Sequence, residues 1–402
     1  MRVGVNALHL GPAIGGLRQY LECLLPALLQ ARPDWRVSVF HSSANAADVA
    51  AAAPGSPRLA LRRVGQARDV RRLAESLDLY FCPFGILDPR PLPLPSVVTL
   101  VDVQERHLPG LFSPAALWNR ALHFEGSTRQ ADAVVTLSEF SRASIARHHG
   151  IPRERIHVAP LSPDPRLLQA PEPPAAFTRA LPGTFFLYPA NHWRHKNHAL
   201  LLRALRRLLD AGGAEVHLVL TGFEQPDGFA LAPAVRELGL EPRVRMLGFV
   251  GRSELAQLYR RALALVFPSR FEGFGLPLAE AMALGCPIAA ADAAAVPEVV
   301  GDAALLFGPE DVAGCAEAMG RLLGDAGLRQ GLARRGRERA RLYTPERTAA
   351  AHVEAFEAAR RRFAFPDYLR RRLLGEPWHR LRHHFRHGLR PPVDGPGKGD
   401  VS

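Results

Sequence analysis

Ala264–Val300 reads ALVFPSRFEGFGLPLAEAMALGCPIAAADAAAVPEVV, and the order of residue types within it decides the fold. Ala262 to Phe267 is an apolar run short enough, and flanked sharply enough, to be a buried strand. Pro268 and Ser269 end it. A loop containing Gly273 and Gly275 follows, then Pro277 and an amphipathic run that stops at Gly285. Proline in the first helical turn and glycine just past the last are the punctuation of a helix. A second strand, Pro287 to Ala290, completes a strand, glycine loop, helix, strand unit. Such units build doubly wound α/β domains.

The chemistry lies in the loop. Where a loop meets a helix N-terminus, free backbone N–H groups and the positive end of the helix dipole together favour an anion. Gly273 and Gly275 let a phosphate approach the backbone, since no Cβ stands in the way. Glu272 precedes the loop and Glu280 lies in the first turns of the helix. A carboxylate only accepts hydrogen bonds, so it suits the paired hydroxyls of a ribose or a hexose. Diphosphate on the backbone and sugars on the glutamates describe a nucleotide-sugar. The two glycines alone do not separate this from an ordinary strand-to-helix turn, but the full string does. SRFEGFGLPLAEAMALGCPIAAADAAAVPEVVGDAALLF closely resembles the donor-site signature of retaining glycosyltransferases of family 4, which have the GT-B fold. The resemblance implies that Glu272 and Glu280 flank the donor, with Gly273, Phe274, Gly275 and Leu276 between them.

At 402 residues the chain exceeds what one core usually covers, so two domains are expected. No run of eighteen apolar residues marks a transmembrane helix. The opening MRVGVNALHL reads as a strand rather than a signal peptide, so a cytoplasmic protein is expected. Cys23, Cys82, Cys286 and Cys315 are scattered, which points to neither a disulfide framework nor a zinc site. The net charge is +12, and ten basic against four acidic side chains from Arg361 onward place +6 of it in the last tenth of the chain. Aromatics are not interleaved with basic clusters in the body, so no nucleic-acid partner is expected. Lysine is nearly absent: of 51 basic residues only Lys196 and Lys398 are lysine.

Taken in order, Val3 to Leu8 is a strand, followed by Gly11, Gly15 and Gly16 and a helix from Leu17 to Gln30. The spacing is not GxGxxG, so a dinucleotide site is not indicated. The resemblance implies that Gly15 and Gly16 face the donor diphosphate; many relatives carry threonine and glutamate where this chain has Leu17 and Arg18. Ser96 to Val101 is a strand ending on Asp102, where open α/β sheets place ligand contacts. Relatives usually carry a histidine before that aspartate, and here the position is Val101. Asp102 is the candidate for an acceptor or sugar hydroxyl, and His107 reads as a surface histidine. Ser138-Glu-Phe-Ser141 matches the family's pattern and also reads as a helix cap. Seven prolines between Pro160 and Pro182 read as an interdomain linker, with the boundary near residue 175. The second domain opens on a strand, Thr184 to Tyr188, and then Pro189-Ala-Asn-His-Trp-Arg-His-Lys-Asn197. This resembles the family's basic loop, whose lysine binds the donor phosphates. Asn191 stands where many relatives have arginine, and Arg194 is taken to supply the second positive charge.

The fold expected is α/β, GT-B, with two doubly wound parallel-sheet domains facing across a cleft. The boundaries read from sequence are 1–175 for the acceptor-side domain and 176–345 for the nucleotide-sugar domain. A crossover helix at 346–362 returns to the first domain, and 363–402 is a basic tail. The resemblance implies a retaining transferase that moves a hexose, first guess mannose, from a nucleoside-diphosphate sugar to a glycan or lipid-linked saccharide. Catalytic roles fall on Glu272, Lys196 and Asp102, with Arg194 and Lys196 meeting the charge of the leaving diphosphate. No DxD motif is present, and neither a metal nor a cofactor is expected. A nucleotide-sugar 2-epimerase of the same architecture and a non-catalytic scaffold are the alternatives. The tail has two readings: a largely disordered extension, or a peripheral contact with an anionic membrane.

Overall fold

The structure is a computed structural model that describes residues 1–11, 15–212, 215–225 and 227–388. The chain divides into two compact units, Met1–Ser162 with Pro345–Ser402, and Pro163–Thr344.

The first unit holds a seven-stranded sheet: β1 (Arg2–Asn6), β2 (Arg36–His41), β3 (Leu59–Arg63), β4 (Leu79–Cys82), β5 (Ser96–Thr99), β6 (Ala133–Thr136) and β7 (Ile156–Val158). The order is β3-β2-β1-β4-β5-β6-β7, and every pair is parallel. The second holds six strands: β8 (Phe185–Pro189), β9 (His217–Thr221), β10 (Val244–Met246), β11 (Ala264–Phe267), β12 (Ile288–Ala291) and β13 (Ala304–Phe307). Their order is β10-β9-β8-β11-β12-β13, again all parallel. Strands covered on both faces must be apolar throughout rather than alternating. AVVT of β6 and ALVF of β11 are such runs, buried at every position. In each sheet the strand order turns around once, between β1 and β4 and between β8 and β11. Open α/β sheets bind ligands beyond the carboxyl ends of the strands at such a switch point.

The Pro345–Arg362 helix packs in the first unit against the Gly15–Ala31 helix. Phe356 is fully buried, stacked on Trp35 at 6.0 Å and tilted against Phe81 at 5.1 Å. Glu357 accepts from Arg32 at 2.6 Å, and Thr348 Oγ1 donates to the Pro160 carbonyl, also at 2.6 Å.

Two segments depart from the sequence reading. The division falls between Ser162 and Pro163 rather than near residue 175, and the proline-rich stretch belongs to the second unit. It forms two short helices, Pro165–Leu168 and Ala175–Ala180. Arginines of the Arg252–Arg261 helix hold it down: Arg252 pairs with buried Asp164 at 2.9 Å, Arg260 donates to the Leu168 carbonyl and Arg261 to that of Thr178. Composition signals a linker, but these guanidinium groups tie the stretch into the second unit.

The tail is the second departure. Phe365–Arg370, a π turn Arg371–Gly375 and Glu376–His387 form a helical run. Pro377 does not break it, because it sits in the first turn after the π turn, where the missing N–H costs little. The run is anchored in the first unit. Arg371 pairs with Asp132 at 2.9 Å and Arg90 with Glu376 at 3.2 Å, all four side chains being largely buried. Burial holds the Asp132 carboxyl above its usual range, and Arg371 works against that rise. A largely disordered extension is therefore not what residues 365–387 are; residues 389–402 lie outside the described part. Among the described residues no helix is long and apolar enough to cross a membrane.

Candidate functional site

The two strands that flank the switch point of the second sheet carry the residues singled out by sequence. After β8 the chain leaves the sheet through residues 190–193 and makes one 3₁₀ turn, Arg194–Lys196. Asn197 closes it in the left-handed region at φ 58° and donates from its side chain to the Pro309 carbonyl at 2.8 Å. Asparagine tolerates that conformation better than most residues. After β11 the chain passes through Glu272 and Gly273 to Gly275, whose φ of 89° starts the Leu276–Leu284 helix. A Cβ at Gly275 would also stand 2.8 Å from Leu278 Cδ1, so glycine is required there by conformation and by space. Pro277 lies in the first turn and Gly285 caps the end at φ 73°.

The two loops meet. Lys196 Nζ donates to Glu272 Oε1 at 2.7 Å, with the side chains only 18% and 11% exposed. The Arg270 N–H donates to the His195 carbonyl at 2.8 Å, a backbone tie between the loops. Tyr188, near the end of β8, lies beneath both: its hydroxyl donates to the Lys196 carbonyl at 2.8 Å and accepts from the Ser269 hydroxyl at 3.0 Å. Burial pushes the Tyr188 hydroxyl well above its usual pKa, with the nearby Glu272 charge adding to the effect. It is a permanent neutral donor. Neighbouring His198 is buried, and desolvation brings it down to about 3, so it adds no charge beside Lys196 at neutral pH.

Glu280 is buried on the Leu276–Leu284 helix and accepts a hydrogen bond from Tyr259 at 2.9 Å. Burial and the Glu280 charge hold the Tyr259 hydroxyl well above its usual range. Phe274 is buried against Tyr343, edge to face at 5.2 Å. Leu276 is half-buried at the helix start, next to amides that the first turn leaves without intrahelical partners. Arg194 is exposed on the same turn as Lys196. Asn191, which stands where many relatives have arginine, accepts from the Phe223 N–H at 2.9 Å and so serves the loop itself.

The structure thus gathers Lys196, Glu272, Gly273, Phe274, Gly275, Leu276 and Glu280 on adjoining elements of the second unit. Gly15, Gly16 and Asp102 belong to the first. Gly15 and Gly16 open the Gly15–Ala31 helix beyond β1, one of the two strands at that sheet's switch point. A Cβ at Gly16 would meet nothing within 4 Å among the described residues, so local packing does not demand glycine there. Asp102 follows β5, one strand further out, and its Oδ1 accepts from the Gln104 N–H at 3.0 Å. β5 ends at Thr99, two residues before the expected Val101. His107 is exposed and hydrogen-bonds Ser144 at 2.6 Å. Ser138 caps its helix, accepting from the Ser141 N–H at 3.1 Å. Sequence reasoning missed Tyr188, Ser269 and Tyr259. The one available signal was position: Tyr188 ends a strand and Ser269 follows one, at the two edges that meet.

Comparison with known proteins bears on the family and the fold. The family described as Glycosyl transferases group 1 matches residues 175–339, and Glycosyltransferase Family 4 matches residues 14–167. O-antigen chain mannosyltransferase B of Escherichia coli is 31% identical over 238 residues, covering 58% of this chain and 62% of that one. MMP alpha-(1->4)-mannosyltransferase of Mycolicibacterium hassiacum is 32% identical over 240 residues, 59% and 56% of the two chains. The matched region thus spans about three-fifths of the length of these curated relatives. Among solved structures, sucrose-phosphate synthase from Thermosynechococcus elongatus superposes with TM-score 0.68 at 21% identity, covering 89% of this chain and 98% of that one. Anabaena HepE in complex with UDP gives 0.68 at 19%, covering 89% and 99%. At such identities the likeness is one of fold, and it is the GT-B fold.

Proposed function

The chain belongs to the group 1, family 4 glycosyltransferases, and from that premise we propose that it transfers a hexose from a nucleoside-diphosphate sugar to an acceptor hydroxyl, with retention at the anomeric carbon. The observation that carries the reading is the Lys196–Glu272 pair at the switch point of the second sheet, beside a helix that starts at Gly275. Departure of the diphosphate is the difficult event. Lys196 has three N–H donors, so it can keep Glu272 at 2.7 Å and still donate to a phosphate oxygen. Arg194 on the same turn and the first-turn amides of the Leu276–Leu284 helix add fixed positive potential where the leaving oxygens gather charge. This set calls for no metal ion. Glu272 takes sugar hydroxyls and is oriented by Lys196; Glu280 takes the ribose and is oriented by Tyr259. Gly15 and Gly16 are assigned to the diphosphate, and Asp102 to an acceptor or sugar hydroxyl, on the family resemblance alone.

Mannose is the sugar we propose, with guanosine diphosphate as carrier. Two of the relatives described above bear the name mannosyltransferase, and the Asn-His-Trp-Arg-His-Lys-Asn loop resembles members of surface polysaccharide pathways. The acceptor class is a glycan or a lipid-linked saccharide. The test is incubation with a panel of nucleotide-sugars, following donor loss and, with a saccharide acceptor, the anomeric proton of the product. Faster loss of GDP-mannose than of UDP-sugars, and an α-linked product, are expected. An inverted product would reject retention, conversion of the donor to its C2 epimer would establish the epimerase instead, and inertness toward every donor would leave only the scaffold.

A further inference from the structure

The helical run Phe365–His387 has two unlike faces. One is seated on the first unit: Tyr368 is buried, Arg371 and Glu376 make the ion pairs described, and His379 and His383 each lie 3.0 Å from a backbone carbonyl, of Leu122 and Trp118. The other face carries Leu374, Trp378, Leu381 and Phe385, whose spacing of four, three and four residues puts them on one stripe of a helix. They are 66%, 64%, 44% and 78% exposed. Phe365, Leu369 and Leu373 add exposed apolar surface before and within the π turn. A row of large exposed apolar side chains, unlike a scattered few, marks an interaction surface.

Positive charge borders the stripe. The run holds six arginines against Asp367 and Glu376, and Arg370, Arg372 and Arg380 are exposed. A cavity of about 370 Å³ opens beside the stripe, lined by Arg129, Arg370, Arg371 and Arg382 together with Leu374 and Trp378. Guanidinium groups match the oxygens of a phosphate, whereas leucine and tryptophan match hydrocarbon.

We propose that this face docks the first unit on an anionic lipid bilayer, the stripe entering the boundary between headgroups and acyl chains and the arginine-lined cavity receiving a lipid phosphate. An apolar helical face bordered by arginines is how a helix lies in the plane of an anionic membrane surface. A second copy of the chain fits poorly, because a two-fold contact through the stripe would bring the bordering arginines of both copies together. A nucleic acid would engage the arginines but gain nothing from Leu374 and Leu381. The proposal stands apart from sugar transfer, since vesicle binding is read without turnover.

The experiment is co-sedimentation of the full chain with vesicles of phosphatidylcholine alone and of phosphatidylcholine mixed with phosphatidylglycerol. Binding to the mixed vesicles only, weakened by salt and accompanied by a blue shift of tryptophan emission, is expected. Trp378→Ser combined with Phe385→Ser should weaken it about tenfold or more while the thermal midpoint stays put. Arg370→Gln combined with Arg372→Gln should lower affinity and flatten the salt dependence. Absence of binding to both vesicles, or unchanged binding by the stripe variant, would overturn the proposal. So would displacement by inorganic phosphate at constant ionic strength, which would make the cavity a site for a free anion. Self-association lost in the stripe variant without any vesicle binding would assign the face to a second copy.

Discussion

Tyr188→Phe removes one oxygen from beneath the site and leaves every proposed ligand contact in place. That oxygen joins the Lys196 carbonyl at 2.8 Å to Ser269 Oγ at 3.0 Å, and so ties the loop after β8 to the loop after β11. Each hydrogen bond is worth about 0.5–1.5 kcal/mol net, so the second unit should lose about 2 kcal/mol. The kinetic effect should exceed what that figure alone implies. Lys196 is the group proposed to meet the developing charge, and a displacement of about 1 Å can cost up to about 100-fold in rate. A fall in kcat/KM of about 10- to 100-fold is expected, mostly in kcat, measured by steady-state donor turnover with the thermal midpoint recorded in parallel. Burial holds the Tyr188 hydroxyl well above its usual pKa, so it should stay protonated across the working pH range. The pH profile of kcat/KM should keep its shape. A lowered midpoint with unchanged kcat/KM would show that Tyr188 supports only the core, and an altered pH profile would refute the positioning role.

Lys196→Arg should keep the charge and the fold yet lose about 10²–10³-fold in turnover, because a planar guanidinium cannot replace a compact ammonium held 2.7 Å from Glu272. Arg→Lys at outlying Arg206 or Arg334 should be nearly silent in the same assay. Glu280→Ala should weaken nucleotide binding and destabilise the second unit by about 1–3 kcal/mol, since the buried Tyr259 hydroxyl loses its acceptor. Tyr259→Phe should leave nucleotide binding largely intact, which calorimetry separates from the melting shift. Stability should fall as pH drops from about 6.5 to about 4. Burial brings His352 down to about 4, so across that window the unfolded chain binds a proton that the folded chain refuses. This histidine alone contributes roughly 2–4 kcal/mol of that loss, His149 and His198, each brought down to about 3, add to it, and His352→Gln should flatten the slope in denaturation midpoints taken against pH.

The fold was legible because its signals are local. Pro277 and Gly285 bracket a helix that runs Leu276–Leu284, and the apolar runs on either side are β11 and β12 to within two residues. The family could be read from the same string. What could not be read depends on contacts distant in sequence. Nothing near Lys196 announces that its ammonium meets Glu272, or that Tyr188 lies under both loops; both facts follow from β8 and β11 being neighbours. The tail misled for the same reason. Pro377 looks like a break, whereas the order of the run comes from buried partners, Asp132 and Arg90, that lie far back in the chain. Likewise the prolines of 160–182 read as a linker, and arginines of a later helix hold the stretch down.

The most direct test of the donor site is calorimetric titration of nucleoside diphosphate into the wild-type chain and into Lys196→Met, with the free nucleoside as control. A charge-assisted hydrogen bond to phosphate is worth about 1.5–3 kcal/mol, so Lys196→Met should bind the diphosphate roughly 10- to 100-fold more weakly. The nucleoside should bind both proteins alike. Equal affinity of the two proteins for the diphosphate would contradict the assignment of the Lys196–Glu272 pair to the donor.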